Sequence, residues 1–139
     1  MQKEFITNSP EETEAFGEAL AGQYVAPHVF CLTGDLGAGK TAMTRGIARG
    51  YGFDGRVSSP TFTIMHVYEG AETVHHFDLY RIADEEELDA IGFDGFLREG
   101  ISVIEWPDDY EVRIGPCTRI TITRVSDTKR HIIVEEKDV

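Results

Sequence analysis

The sequence predicts an α/β fold, a mixed sheet with a parallel centre and antiparallel additions. Three observations carry that prediction. A glycine-rich loop, Gly34-Asp35-Leu36-Gly37-Ala38-Gly39-Lys40-Thr41, stands between an apolar run of strand length (His28 to Thr33) and a stretch of helical character (Thr41 to Gly50). A second apolar run, Gly100-Ile101-Ser102-Val103-Ile104-Glu105, ends in a carboxylate as a buried parallel strand would. Near the end of the chain, Arg119 to Thr123 and His131 to Glu135 alternate in character and flank the polar turn Ser126-Asp127-Thr128-Lys129, the pattern of an antiparallel hairpin.

The loop is the centre of the molecule. Its glycines let the backbone turn tightly and bring several N–H groups to phosphate oxygens with no Cβ in the way. Lys40 supplies a point charge for outer phosphates, and the Thr41 hydroxyl is a hard oxygen suited to Mg²⁺. The helix that follows turns its positive dipole end to the same anions. Nucleotide binding is the function this stretch predicts; a plain glycine-rich turn is the alternative.

The elements around the loop follow in order. Glu4 to Thr7 forms a short opening strand. Ser9 as N-cap, Pro10 at the first helical position, and Glu11 and Glu12 in the first turn start an amphipathic helix over 10–24. Glycines at 50 and 52 end the loop helix. Ile64 to Tyr68 and Thr73 to Tyr80 read as strands joined by a hairpin through Glu69 to Glu72. Asp84 caps a short acidic helix to Ala90, with Glu87 placed for a capping box. Pro107, Asp108 and Asp109 open another short helix.

Composition narrows the class. The chain has 139 residues, 41% apolar and 27% charged, which suits one domain with a genuine core. No apolar run approaches membrane-spanning length and Met1 to Phe5 carries no signal-like apolar segment, so the expected compartment is the cytoplasm. Cys31 and Cys117 are far apart in sequence and lack ligand-spaced partners, which points to buried reduced thiols. The net charge of −12, with a pI near 4.7, disfavours direct nucleic-acid binding outside a local basic patch and favours a protein partner.

Two carboxylates are candidates to complete the site. Glu105 leaves a buried strand where a phosphate-loop enzyme places its second oxygen donor for Mg²⁺. Strand alternation puts Val74, His76, Asp78 and Tyr80 on one face. Asp78 there either positions water and reaches the metal through water, or pairs with Arg81 or caps a turn. His75 and His76 face opposite ways, which excludes paired metal ligation by them. The hydroxyl-rich loop Ser58 to Thr63 lies where switch segments sit in nucleotide enzymes, and turn chemistry at Pro60 explains it equally.

Taken together, the loop from Gly34 to Thr41, Ser59-Pro60-Thr61-Phe62-Thr63, His76-Phe77-Asp78-Leu79-Tyr80-Arg81 and Val103-Ile104-Glu105-Trp106-Pro107 resemble the TsaE family, bacterial ATPases of tRNA threonylcarbamoyladenosine biosynthesis. Order and spacing agree from the first helix to the final hairpin. The resemblance implies a P-loop NTPase fold with Mg²⁺ and ATP at the loop, where Asp35, Leu36, Gly37, Ala38, Gly39, Lys40 and Thr41 meet the nucleotide. It implies Thr41 and Glu105 as metal ligands, Asp78, Lys40 and Glu105 as the catalytic set, and nucleotide contacts from Asn8, Pro10, Trp106 and Arg130. The TsaB–TsaD pair would be the partner, tRNA would be met only through it, and ATP hydrolysis would reset that machine. One departure stands out: Ala42 replaces a hydroxyl residue common in the family, which removes a side-chain contact to the inner phosphate.

Three other functions compete. A small-molecule kinase of the P-loop class needs an arginine-bearing lid, and Arg81 and Arg98 amid acids are a thin one. A GTPase needs an Asn-Lys-x-Asp motif, which the chain lacks. A nucleotide-dependent binding module without catalysis is the third.

Overall fold

The computed structural model describes residues 2–58, 60 and 64–138. Chain order is strand β1 (Gln2–Thr7), helix α1 (Pro10–Ala21), β2 (His28–Thr33), α2 (Lys40–Gly50), β3 (Met65–Glu69), β4 (Thr73–Asp78), α3 (Glu85–Ile91) and α4 (Phe93–Leu97). It continues with β5 (Ile101–Glu105), a 3₁₀ turn (Asp108–Tyr110), α5 (Glu111–Ile114), β6 (Cys117–Arg124) and β7 (Arg130–Lys137).

The strands form one sheet in the order β1-β7-β6-β2-β5-β4-β3. β2 runs parallel to β5 and to β6, and β4 runs parallel to β5. β3, β7 and β1 are antiparallel to their neighbours. The parallel centre with antiparallel additions is the arrangement the sequence predicts, and β2, which feeds the glycine loop, lies in the middle of it.

Each face of the sheet carries its own apolar layer. Phe30, Leu32, Val74, Val103, Ile120 and Ile132 pack under α1 and α2 against Leu20, Met43, Ile47 and Ala48. Val29, Cys31, Phe77, Ile104 and Cys117 face the other way, against Leu88, Phe93 and Ile114. The strict exchange of odd and even positions between layers is the period-2 geometry of a strand buried on both faces. Cys31 and Cys117 are buried and free, as expected, yet they are spatial neighbours that line one small cavity where β2 and β6 pair. Among the described residues no helix is long and apolar enough to cross a membrane.

Glycine lets α1 and α2 approach at backbone distance, which sets the height at which α2 presents its first turn. A Cβ on Gly46 would stand 2.0 Å from the Glu14 carbonyl oxygen, and one on Gly17 would stand 2.7 Å from that of Met43. Gly46→Ala therefore forces the helices apart, at roughly 1–3 kcal/mol, against about 1 kcal/mol gained in helix propensity. A lowered melting temperature is the expected result; an unchanged or raised one would contradict the close crossing.

Several boundaries depart from the sequence-based expectation. α1 stops at Ala21 instead of running to Tyr24. After Gly22 the chain continues in looser turns, with Gln23 N–H donating to Leu20 (3.0 Å) and Tyr24 N–H to Ala21 (3.2 Å). β4 stops at Asp78 because the Asp78 carboxylate accepts the Tyr80 N–H at 2.9 Å and turns the chain. Tyr80 is thus outside the strand and exposed. The Asp84 cap forms, accepting from Glu87 N–H, and Glu87 reaches back to the N–H of Ala83. α4, which the sequence pattern does not announce, follows Gly92 at φ +76°. Ser59, Thr61, Phe62 and Thr63 of the hydroxyl-rich loop lie outside the described residues.

Candidate nucleotide site

Parallel register brings the two candidate carboxylates together. Asp78 on β4 pairs with Glu105 on β5, and Glu105 pairs with Leu32 on β2, one residue before the strand hands over to the glycine loop. The C-terminal edge of a parallel sheet is where ligands of open α/β folds sit. Here it bears two acids, a lysine and the start of a helix.

The loop leaves Thr33 and closes through Ala38 N–H donating to the Asp35 carbonyl at 3.0 Å. Gly37 (φ +77°) and Gly39 (φ +111°) occupy left-handed backbone that a side chain would strain. Gly39 then caps α2, so Lys40 opens the helix and Thr41 sits in its first turn. Lys40 is buried, and its Nζ donates to the Gly34 carbonyl at 2.7 Å. The same ammonium lies 4.0 Å from Glu105 Oε1 and 3.9 Å above the Trp106 ring. Burial pulls the Lys40 pKa down, opposed by the charges of Glu105, Asp78 and Asp35. Burial likewise pushes Asp78 up, against the Tyr80 N–H that favours its ionised form.

Trp106 sits at φ +57°, the one non-glycine residue with positive φ among those described. This backbone is costly for a bulky side chain. It turns the indole from the end of β5 back over Lys40, with the Tyr80 ring 4.9 Å away. The structure thus puts Trp106 on the wall of the site.

A cavity of about 290 Å³ is lined by Leu36, Gly37, Gly39, Lys40, Thr41, Asp78, Glu105 and Trp106. It unites most of the sequence-predicted set. Asp35 and Ala38 do not line it: Asp35 is exposed on the outer turn, and Ala38 is packed into the core layer. Asn8 and Pro10 are also outside it. Asn8 N–H donates to Glu12 at 2.9 Å, and Pro10 opens α1. Arg130 is committed elsewhere. Its Nε donates to the Ala38 carbonyl at 2.8 Å, one terminal nitrogen to Gly37 at 3.3 Å and the other to Ser126 at 2.7 Å. It braces the phosphate loop from the β6–β7 hairpin, a role that spacing along the chain does not reveal. A larger cavity, about 620 Å³, lies at the opposite edge of the parallel strands around His28, Arg98 and Glu136. It holds none of the loop residues, and the chemistry assigns phosphate binding to the smaller one.

The donor set suits a small hard cation. Thr41 offers a hydroxyl, and Glu105, 3% exposed, offers a carboxylate at the cavity wall. No cluster of three or more His, Cys, Asp or Glu among the described residues is built to hold a metal unaided. Mg²⁺ in phosphate-transfer sites is bound in just this incomplete way, by one or two protein oxygens with phosphates and water supplying the rest.

A glycine loop between a central parallel strand and a helix, with lysine, hydroxyl and strand-end carboxylate converging, defines a P-loop NTPase-like protein. A family model described as Threonylcarbamoyl adenosine biosynthesis protein TsaE matches residues 7–132. The chain belongs to the TsaE family, whose members act in tRNA threonylcarbamoyladenosine biosynthesis. It is 39% identical over 135 residues to the tRNA threonylcarbamoyladenosine biosynthesis protein TsaE of Bacillus subtilis, covering 94% of this chain and 84% of that protein. The protein of the same name from Treponema pallidum is 33% identical over 131 residues, covering 93% and 97%. The crystal structure of Bacillus subtilis YdiB superposes with a TM-score of 0.76 at 31% identity, over all of this chain and 87% of the other.

Proposed function

We propose that this protein binds ATP with Mg²⁺ and hydrolyses it as the nucleotide-driven subunit of the machinery that forms threonylcarbamoyladenosine beside the anticodon. On this reading it resets the TsaB–TsaD pair between turnovers in the cytoplasm and meets tRNA only through that pair. The single observation that carries the proposal is the convergence of Lys40, Thr41, Asp78 and Glu105 on one cavity at the C-terminal edge of the parallel strands.

Each residue has a task that follows from its chemistry. The N–H groups of the loop and of the first turn of α2 bind phosphate oxygens, and Lys40 neutralises charge on the outer ones. Thr41 and Glu105 would hold Mg²⁺, which would supply positive charge to offset the charge that develops on the phosphates. Asp78 accepts a hydrogen bond from the attacking water and holds it in line with the γ-phosphorus. Water's oxygen bonds to that phosphorus as the bond to the β,γ-bridging oxygen breaks; ADP leaves with the electron pair, and the water's proton passes by way of Asp78 to the released phosphate.

Two features support dependence on a partner. Most of the Arg130 N–H groups are engaged by loop and hairpin carbonyls, which leaves this cation little to offer the transferred phosphoryl group. The charge of −12 favours a basic protein surface, and cationic groups supplied in trans are a recurring device in P-loop enzymes. Phosphate release is to be compared for the isolated protein, with tRNA alone, and with TsaB–TsaD, at two salt concentrations. Slow release alone and a rise of roughly tenfold or more with the pair, weaker at high salt, is expected. Full activity in isolation, or stimulation by tRNA alone, would overturn the partner-dependent reading.

A further inference from the structure

His76 is fully buried. Its Nε2 lies 2.5 Å from Glu105 Oε2, and its Nδ1 lies 2.9 Å from the Tyr68 hydroxyl. That hydroxyl, with a single hydrogen to give, also lies 2.9 Å from the Ser58 carbonyl, and Tyr68 is itself buried. A continuous chain of contacts therefore runs from the backbone at Ser58, through Tyr68 and His76, to the carboxylate at the wall of the site.

The two oxygens of Glu105 are used differently. Oε2 points inward to His76, while Oε1 lies 4.0 Å from Lys40 Nζ. A carboxylate turns freely about its last bond unless something holds it, because that torsion is broad. An unheld Glu105 would spread its oxygens over orientations of which only some aim a lone pair into the cavity. The imidazole, fixed at its other nitrogen by Tyr68, removes that freedom. Partners that orient a metal-binding group govern affinity nearly as strongly as the group itself.

We infer that His76 is a positioning residue for the metal site: it holds Glu105 Oε2 so that Oε1 faces the cavity, and Tyr68 ties this posture to the backbone at Ser58. The inference rests on Glu105 being the metal carboxylate. It gives His76 a role through Glu105 and none on the nucleotide directly.

Two amide substitutions separate the ends of the imidazole. His76→Gln places an N–H donor near the Nε2 position and keeps a hydrogen bond to Glu105. His76→Asn places its amide near the Nδ1 position and leaves Glu105 without this donor. The readout is the affinity for a non-hydrolysable ATP analogue, measured by calorimetry with and without Mg²⁺, beside a thermal melt of each variant. The gain from Mg²⁺ is expected to stay within about threefold of wild type in His76→Gln and to fall roughly tenfold in His76→Asn. Metal-free affinity should be the same in all three proteins. Equal gains in the two variants, or a loss in His76→Asn that is equally large without Mg²⁺, would overturn the inference. Should both fail to fold, Tyr68→Phe removes only the hydroxyl, and its gain from Mg²⁺ must fall by about threefold; an unchanged gain would overturn the inference as well. A wild-type protein that binds the analogue but gains nothing from Mg²⁺ would instead remove the assignment of Glu105, and this inference with it.

Discussion

Lys40→Ala is expected to weaken ATP binding roughly ten- to a hundredfold whether or not Mg²⁺ is present, the loss of a charge-assisted contact worth about 1.5–3 kcal/mol. Glu105→Gln should behave differently. The amide fills nearly the same volume, keeps one oxygen, and leaves the phosphate loop untouched. Its metal-free affinity should not fall below wild type, because a negative charge near the phosphates is removed, while the strengthening of binding by Mg²⁺ should largely disappear. The contrast follows from the geometry: Lys40 heads the helix that faces the phosphates, whereas Glu105 stands on the neighbouring strand and reaches them only across an ion. The two side chains approach each other at 4.0 Å, so their effects should not add in the double variant. Titrations of the three variants with ATP, each with and without Mg²⁺, decide the matter. A Glu105→Gln protein with full Mg²⁺ dependence would make that carboxylate structural.

Asp78→Ala should keep binding of ATP with Mg²⁺ within a few-fold and lose hydrolysis by roughly a hundredfold or more, the signature of a group that acts on the reacting water. Asp78 also has a structural task, since its Oδ1 accepts the Tyr80 N–H and ends β4. Asp78→Asn separates the two. Asparagine can retain that turn contact while removing the negative charge that takes hold of water. Equal loss of hydrolysis in both variants, with a melting temperature near wild type for Asp78→Asn, is the expected outcome. An Asp78→Asn protein that hydrolyses ATP at the wild-type rate would reduce Asp78 to a turn residue. Of the sequence-based readings of this residue the structure shows the turn cap, and it places the same side chain on the cavity wall.

What could be read from the sequence was whatever depends on near neighbours in the chain. The phosphate loop, β2 before it and α2 after it are one contiguous stretch, and β2 begins and ends where its apolar run does. Glu105 is legible because a strand-end carboxylate is a local pattern. Its pairing with Asp78 needs only that β4 and β5 lie side by side. Contacts set by strand order were out of reach. Arg130 sits on β7, and it meets Gly37 and Ala38 only because the terminal hairpin lies on one side of β2. His76 shares the face of Asp78 by alternation, yet its bond to Glu105 is diagonal across two strands, which no spacing announces. Cys31 and Cys117 come to line one cavity for the same reason, through the pairing of β2 with β6. Trp106 was hidden by its backbone: at φ +57° it does not continue the alternation of β5, so its position relative to the loop is not a matter of period.

The most direct test is a calorimetric titration of the intact protein with ATP and with GTP, each in the presence and absence of Mg²⁺. Saturable binding of ATP, strengthened by Mg²⁺ and at least roughly tenfold tighter than that of GTP, a difference of about 1.4 kcal/mol, is the predicted result. No binding of ATP, or equal affinities for the two nucleotides with no effect of Mg²⁺, would contradict the account.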